Sequence, residues 1–365
     1  MTGERGGRGL RRLFNLAGLA ARPKPAVGTT PADVVFSENK WRLLRYRGAA
    51  APTRRTPVLL VPSLINRHYV LDLMPGKSFA EYLLGRGYDV YCIDWGTPDD
   101  EDRYLTFDDV AGTYLGRAIR RACKTSGADK VHLLGYCLGG TLTTIHAAVH
   151  HEHIASMCAL AAPVRFSGEG VDGLLEAWTR TPTFDVRALV AGAGNVPWQL
   201  MQSAFHLLRP TLNLSKAVHL VDRAWDDEFL DGFFALETWG SDNVSFPGEC
   251  YVRYIEELYR GDALAKGSFT LGGEPARLEN VTCPLLVVSF EHDNIVPKAA
   301  ATALLELAGS RDKQHLHLPG GHVGAVVSRA ASKRLWPVID EFYAHVEEKA
   351  APRSRGRARV AGRST

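Results

Sequence analysis

Val131-His132-Leu133-Leu134-Gly135-Tyr136-Cys137-Leu138-Gly139-Gly140-Thr141 runs from a buried, β-like apolar stretch, through a cysteine flanked by glycines, into a helical pattern that continues to His150. A strand that turns into a helix this abruptly needs glycines, because side chains at those positions would collide with the neighbouring helix and strand. The sharp turn lifts its apex residue, Cys137, out of the sheet. It also aims the N-terminus of the following helix at the sulfur, which favours the thiolate and leaves the Leu138 N–H free for an oxyanion. With 35 glycines and six cysteines in the chain, a G-x-C-x-G pentapeptide arises by chance in roughly one such sequence in 20, so its surroundings have to carry the assignment.

Those surroundings supply two partners. Val287-Val288-Ser289-Phe290-Glu291-His292-Asp293 ends a strand-like run in an acid, and Leu318-Pro319-Gly320-Gly321-His322-Val323-Gly324 ends one in a histidine among glycines. Nucleophile, acid, histidine is the chain order of the α/β-hydrolase triad. The reading therefore makes Cys137 the nucleophile, His322 its base and Asp293 the group that orients the imidazole. Glu291 competes with Asp293, which is shorter and nearer the Pro297 turn. A second oxyanion donor is expected from the loop after the first long strand, Ser63-Leu64-Ile65-Asn66. Asp94-Trp95 ends another strand on the same edge and is read as pocket wall or as core packing.

Working outward, buried strands are predicted at residues 56–62, 88–94, 131–136, 154–162, 285–290 and 315–318, with helical spacing at 78–85, 111–124, 141–150 and 299–308. This alternation predicts an α/β-hydrolase fold: a mostly parallel central sheet with helices on both faces. It breaks for roughly 120 residues after Pro163, a span too long for one loop in a compact domain. An inserted helical cap is therefore predicted, over the strand ends where ligands bind. Its aromatics, including Trp178, Trp198, Phe205, Trp239 and Tyr251, are expected to form mostly its own core, with about two or three residues facing substrate. The organisation is a basic, flexible segment at 1–32, a hydrolase core at 33–163 and 281–348, the cap at 164–280 and a disordered Arg-rich tail at 349–365.

The 365 residues carry a formal charge of +3, yet residues 1–24 hold six cations against Glu4, and residues 350–365 hold five arginines with no acid. Each end is thus +5 and residues 25–349 are −7. Such ends can touch an anionic partner or serve only as solubilising tails, and no nucleic-acid binding is predicted. Residues 10–17 are short and amphipathic. No stretch reaches the ~18 apolar residues of a membrane helix, and no signal-peptide pattern is present, so a cytoplasmic protein is expected. Six cysteines without C-x-x-C spacing indicate neither zinc ribbon nor disulfide framework. No metal site is predicted: His150-His151-Glu152-His153 is read as a solvated turn, since consecutive residues there point in different directions.

At this point the chain resembles the polyhydroxyalkanoate synthases, and among them the short class III catalytic subunits. The likeness runs from about Val35 to Val346. It rests on Val35-Phe36-Ser37-Glu38-Asn39-Lys40, Val61-Pro62-Ser63-Leu64-Ile65-Asn66-Arg67, Asp94-Trp95-Gly96, the elbow around Cys137, Gly194-Asn195-Val196-Pro197 and Pro319-Gly320-Gly321-His322-Val323-Gly324. The resemblance implies a Cys137–His322–Asp293 triad and transfer of an acyl group from 3-hydroxyacyl-coenzyme A to Cys137, with polyester made and coenzyme A released. Acyl-coenzyme A is then a substrate, and no cofactor is implied. It further implies a second synthase subunit, a homodimer or larger assembly, and a place at the surface of polyester granules. One departure stands out: the family typically has histidine after the triad acid, where this chain has Asn294. If that histidine helps activate the incoming hydroxyl, elongation is slowed or a different acceptor is used.

Two other classes compete with polyester synthesis. A cysteine-nucleophile hydrolase (thioesterase, lactone hydrolase or polyester depolymerase) differs in admitting water to the acyl-enzyme. A non-catalytic scaffold subunit has no reason to keep three correctly ordered groups.

Overall fold

The computed structural model describes residues 2–171, 174–181, 183–208 and 212–350. Eight strands form one sheet: β1 (Ala32–Glu38), β2 (Trp41–Tyr46), β3 (Val58–Val61), β4 (Val90–Asp94), β5 (Val131–Tyr136), β6 (Ile154–Leu160), β9 (Leu285–Phe290) and β10 (Lys313–Leu318). A separate small hairpin, β7 (Thr270–Leu271) and β8 (Glu274–Pro275), precedes β9. The sheet order is β1-β2-β4-β3-β5-β6-β9-β10. From β4 to β10 every pairing is parallel, and β1 and β2 close that edge as an antiparallel pair.

The buried strands lack alternation because both faces are covered. Successive residues still divide between two cores. Leu59, Leu133 and Ala159 meet Leu115, Ile119, Leu142 and Ile145 of the helices Leu115–Ser126 and Leu138–Val149 on one face. Leu60, Leu134 and Cys158 meet Phe79, Leu83, Trp336 and Tyr343 of the helices Phe79–Gly85 and Trp336–Ala350 on the other. The predicted α/β-hydrolase architecture is thus the observed one. The hairpin of β1 and β2 is an addition to it. Its period-two signal is broken by a bulge between Val34 and Phe36, and β1 is half exposed, so nothing in residues 32–46 reads as a clean strand.

Between β6 and β9 the chain leaves the sheet for helices at Leu174–Thr179, Val186–Ala193, Trp198–Leu208, Leu212–Arg223, Asp227–Ser241 and Gly248–Arg253. They bond to the loops after β3 and β4: Trp239 Nε1 donates to Arg67 O at 2.9 Å, Arg67 Nε to Asp242 at 3.0 Å, and Asn195 Nδ2 to Asp99 O at 2.5 Å. These helices therefore cover the carboxyl ends of the strands.

The first residues differ from the flexible segment expected at 1–32. They hold a helix, Thr2–Gly18, laid against this helical insertion. Arg11 pairs with Asp227, Arg22 with Asp231 at 2.7 Å, Arg12 donates to Asp222 O at 2.7 Å, and the Arg8 guanidinium lies 4.6 Å from the Trp225 ring centre. The charge asymmetry explains this, since a basic helix finds carboxylates on an acidic body. At the other end the helix Trp336–Ala350 overlaps the start of the predicted tail, and 351–365 lie outside the described residues.

Candidate active site

Cys137 sits at the apex between β5 and the helix Leu138–Val149, with φ 55° and ψ −128°. An L-residue resists that conformation at a cost of about 1–3 kcal/mol, so the surrounding structure must impose it. The imposition is visible at the glycines. A Cβ on Gly139 would lie 2.1 Å from Val61 O and 2.5 Å from Pro62 O, and one on Gly135 would lie 2.4 Å from Gly140 Cα. Cys137 N–H donates to Leu160 O at 3.0 Å, which anchors the apex to β6. Leu138 occupies the first helical position, where its N–H has no carbonyl at i−4 to bond.

The acid and the histidine arrive on loops after β9 and β10, and these loops bond to each other: Glu291 N–H donates to Leu318 O at 2.9 Å and His292 N–H to Gly320 O at 3.0 Å. Asp293 uses both carboxylate oxygens. Oδ1 accepts the N–H groups of Ile295 and Val296 at 2.9 and 2.8 Å, and Oδ2 lies 2.7 Å from His322 Nδ1. A carboxylate only accepts, so Nδ1 carries the proton and Nε2 is left for Cys137, to whose side chain His322 is hydrogen-bonded. Burial alone would lower the imidazole pKa. The charges of Cys137 and Asp293, with hydrogen bonds from both, override it and push the value up to about 10. Glu291, the competing acid, is exposed.

Tyr136 was not singled out from sequence. Its ring stacks on His322 with centres 5.4 Å apart and planes 27° off parallel, and its hydroxyl donates to His322 O at 3.3 Å. Its place immediately before the nucleophile was the available signal. The other five cysteines are set apart by burial, which raises Cys123 to about 11 and Cys283 to about 12 and also pushes Cys92, Cys158 and Cys250 up.

The remaining expected site residues divide. Leu64 and Ile65 are buried in the same apolar cluster as Leu138, which brings the loop after β3 to the elbow. Asn66 is turned to the insertion: its Nδ2 donates to Asn243 Oδ1 at 2.7 Å, while Val244 N–H reaches Ile65 O at 3.4 Å. Asp242, the neighbour of Asn243, also takes the Tyr69 hydroxyl at 2.8 Å. Asp94 and Trp95 do not present their side chains as pocket wall. Asp94 is buried and paired with Arg42, and its Oδ1 lies 3.3 Å from His68 Nδ1. Burial would raise its carboxyl; His68, Arg42 and the Gly96 N–H together hold it well below the usual range. Trp95 is buried and donates Nε1 to Pro62 O at 3.0 Å, so it fixes the loop that Gly139 packs on. A strand end can serve substrate or core, and only the tertiary contacts decide which. Asn294 is exposed and has no hydrogen bond among the described residues.

Comparison with known proteins agrees with this geometry. The α/β hydrolase fold family matches residues 56–326, and the poly-beta-hydroxybutyrate polymerase (PhaC) N-terminus matches residues 25–83. The poly(3-hydroxyalkanoate) polymerase subunit PhaC of Allochromatium vinosum is 35% identical over 339 residues, covering 92% of this chain and 93% of its own length. The subunit of the same name from Haloferax mediterranei is also 35% identical, over 88% of this chain, and this chain spans 65% of its length. Solved structures agree on the fold alone: MenH from S. aureus (TM-score 0.53, 15% identity, 85% of this chain and all of that one) and a carboxylesterase of Nitrososphaera gargenis (0.50, 16%, 87% and all). An elbow with cysteine at its apex, a sheet of hydrolase order and this likeness over nine-tenths of the chain place the protein in the family of the poly(3-hydroxyalkanoate) polymerase subunits PhaC.

Proposed function

We propose that this chain polymerises 3-hydroxyacyl-coenzyme A into polyester through a thioester on Cys137. The observation that carries the reading is the cysteine at the elbow apex, bonded to a histidine that Asp293 holds at 2.7 Å. Cys137 and His322 share one proton, and the raised histidine pKa favours thiolate and imidazolium. The sulfur attacks the substrate's thioester carbonyl, a carbon–sulfur bond forms, and the oxygen takes up negative charge beside the Leu138 N–H. Collapse breaks the bond to coenzyme A, whose departing sulfur takes the proton from His322. One thioester has replaced another, so the step is close to thermoneutral.

The second step reuses the same histidine. The hydroxyl of another hydroxyacyl unit, or of a growing chain end, loses its proton to His322 and attacks the Cys137 thioester. An ester forms, the Cys137 carbon–sulfur bond breaks, and thiolate and imidazolium are restored. Because Asn294 is exposed, this scheme gives it no part in the proton transfer. A serine at position 137 would hold the acyl group as a less reactive oxygen ester.

The related proteins are named subunits, which supports a second synthase subunit and an assembly of copies of this chain. Among the described residues no helix is long and apolar enough to cross a membrane. Leu10, Leu13 and Phe14 of the first helix, with Leu214, Val218 and Val221 of the insertion, are nevertheless largely exposed. An apolar surface of this kind supports work at the surface of a polyester granule. To test the reading, purified protein, with and without its partner, is incubated with 3-hydroxybutyryl-coenzyme A. Free coenzyme A together with polymer is the expected result; coenzyme A with only the free hydroxy acid would overturn it in favour of a hydrolase.

A further inference from the structure

The helix that starts at Cys137 ends beside a second feature that the chemistry above does not use. His146 lies nine residues along it, about 13 Å down the axis at 1.5 Å per residue. There a cavity of about 470 Å3 opens between this helix and Leu115–Ser126, lined by Arg117, Arg120, His146, His150, Glu152 and Asp108 among others.

Two side chains give it a chemical character. The His146 residue is only 4% exposed, and its Nδ1 lies 2.7 Å from Ala111 O. A carbonyl only accepts, so the proton sits on Nδ1 and Nε2 is a bare acceptor with no protein partner among the described residues. Burial, opposed by the Ala111 bond and aided by the charges of His150 and Arg120, lowers its pKa to about 4, so the ring is neutral at pH 7. Arg120 has no ion pair or hydrogen bond among the described residues, whereas Arg117 pairs with Glu38 and Asp108 with Arg253. A Cβ placed on Gly116 would lie 3.2 Å from His146 Cε1 and 3.3 Å from Arg120 Nη1, so the two groups flank one glycine with no side chain between them.

A ligand that satisfies both must offer an anionic oxygen to the guanidinium and an O–H to the imidazole. Carboxylate and sulfate carry no such proton at neutral pH, and a phosphate monoester loses its second proton near pH 6. Hydrogen phosphate keeps one O–H throughout the neutral range and still carries negative charge. We propose that this cleft is a binding site for inorganic hydrogen phosphate, its charge on Arg120 and its hydroxyl donated to His146 Nε2. Glu152, exposed at the rim, opposes the ligand's charge.

The test is calorimetric titration of the full chain at pH 7.5, in a chloride background, with inorganic phosphate, sulfate and methyl phosphate. Phosphate is expected to bind saturably at one site, with sulfate and the ester at least tenfold weaker. Arg120→Gln is expected to weaken phosphate at least tenfold and Glu152→Gln to tighten it; both side chains are exposed, so the fold is kept. Equal binding of sulfate and phosphate would reduce the cleft to a nonspecific basic surface. Equal binding of the ester, indifference to Arg120→Gln, or no saturable phosphate binding would each overturn the assignment.

Discussion

At the scale of single residues, the proposed chemistry rests on a proton shared between Cys137 and His322. The imidazole is raised from 6.5 to about 10, so its protonated form persists through neutral pH and is lost only as pH climbs through about 10. Alkylation of Cys137 by iodoacetamide at pH 7 is therefore expected to be faster in the parent protein than in His322→Asn, where no imidazolium faces the sulfur. Equal rates in the two proteins would contradict the ion pair. Asp293→Asn removes the charge beside Nδ1 and the preference for the right tautomer, and coenzyme A release should fall by about 10²–10⁴-fold in a stopped-flow assay. Gly139→Ala tests the elbow as structure: its methyl would lie 2.1 Å from a backbone oxygen that cannot swing away. A loss of about 3 kcal/mol or more in urea unfolding is expected, beyond that of ordinary overpacking.

The scale of elements shows what could be read in advance and what could not. Strands β3 to β6 and β9 were legible because a strand covered on both faces is a continuous apolar run. Only part of β10 was legible, since its residues alternate between exposed and half-buried at the sheet edge. Cys137, Asp293 and His322 could be picked out because each ends a strand and their chain order is fixed by the fold. The role of Trp95 was not legible: donation to Pro62 O depends on two loops meeting across the sheet. Equally hidden was the seam at Asp242 and Asn243, where the end of the helix Asp227–Ser241 holds the loop at 65–69 through four side-chain hydrogen bonds of 2.7–3.0 Å. Loosening the seam should misplace the loop expected to supply an oxyanion donor. Asp242→Ala is thus expected to slow coenzyme A release about tenfold to a hundredfold while leaving Cys137 alkylation unchanged, because the thiol and its histidine lie on other loops.

For the whole molecule, charge and apolar surface are arranged at different places. The body is acidic, and Arg11 of the first helix, with Arg22 just beyond it, binds near the start of the helix Asp227–Ser241, leaving Leu13 and Phe14 at 69% and 82% exposure. Replacing both with Glu should leave the melting temperature unchanged, since nothing buried is lost. It should shift the protein from pelleted polyester granules into the supernatant, and an unchanged partition would remove this face from the account.

The cysteine inventory has a practical consequence as well. Five of the six thiols are held protonated by burial, and the sixth is the one proposed to carry the acyl group. An excess of a radiolabelled alkylating agent at neutral pH, quenched before the buried thiols react, then becomes a head count: moles incorporated equal moles of competent enzyme. Specific activities from different preparations can be placed on a per-site footing, and a lag in polymer formation can be separated from a preparation that is partly dead.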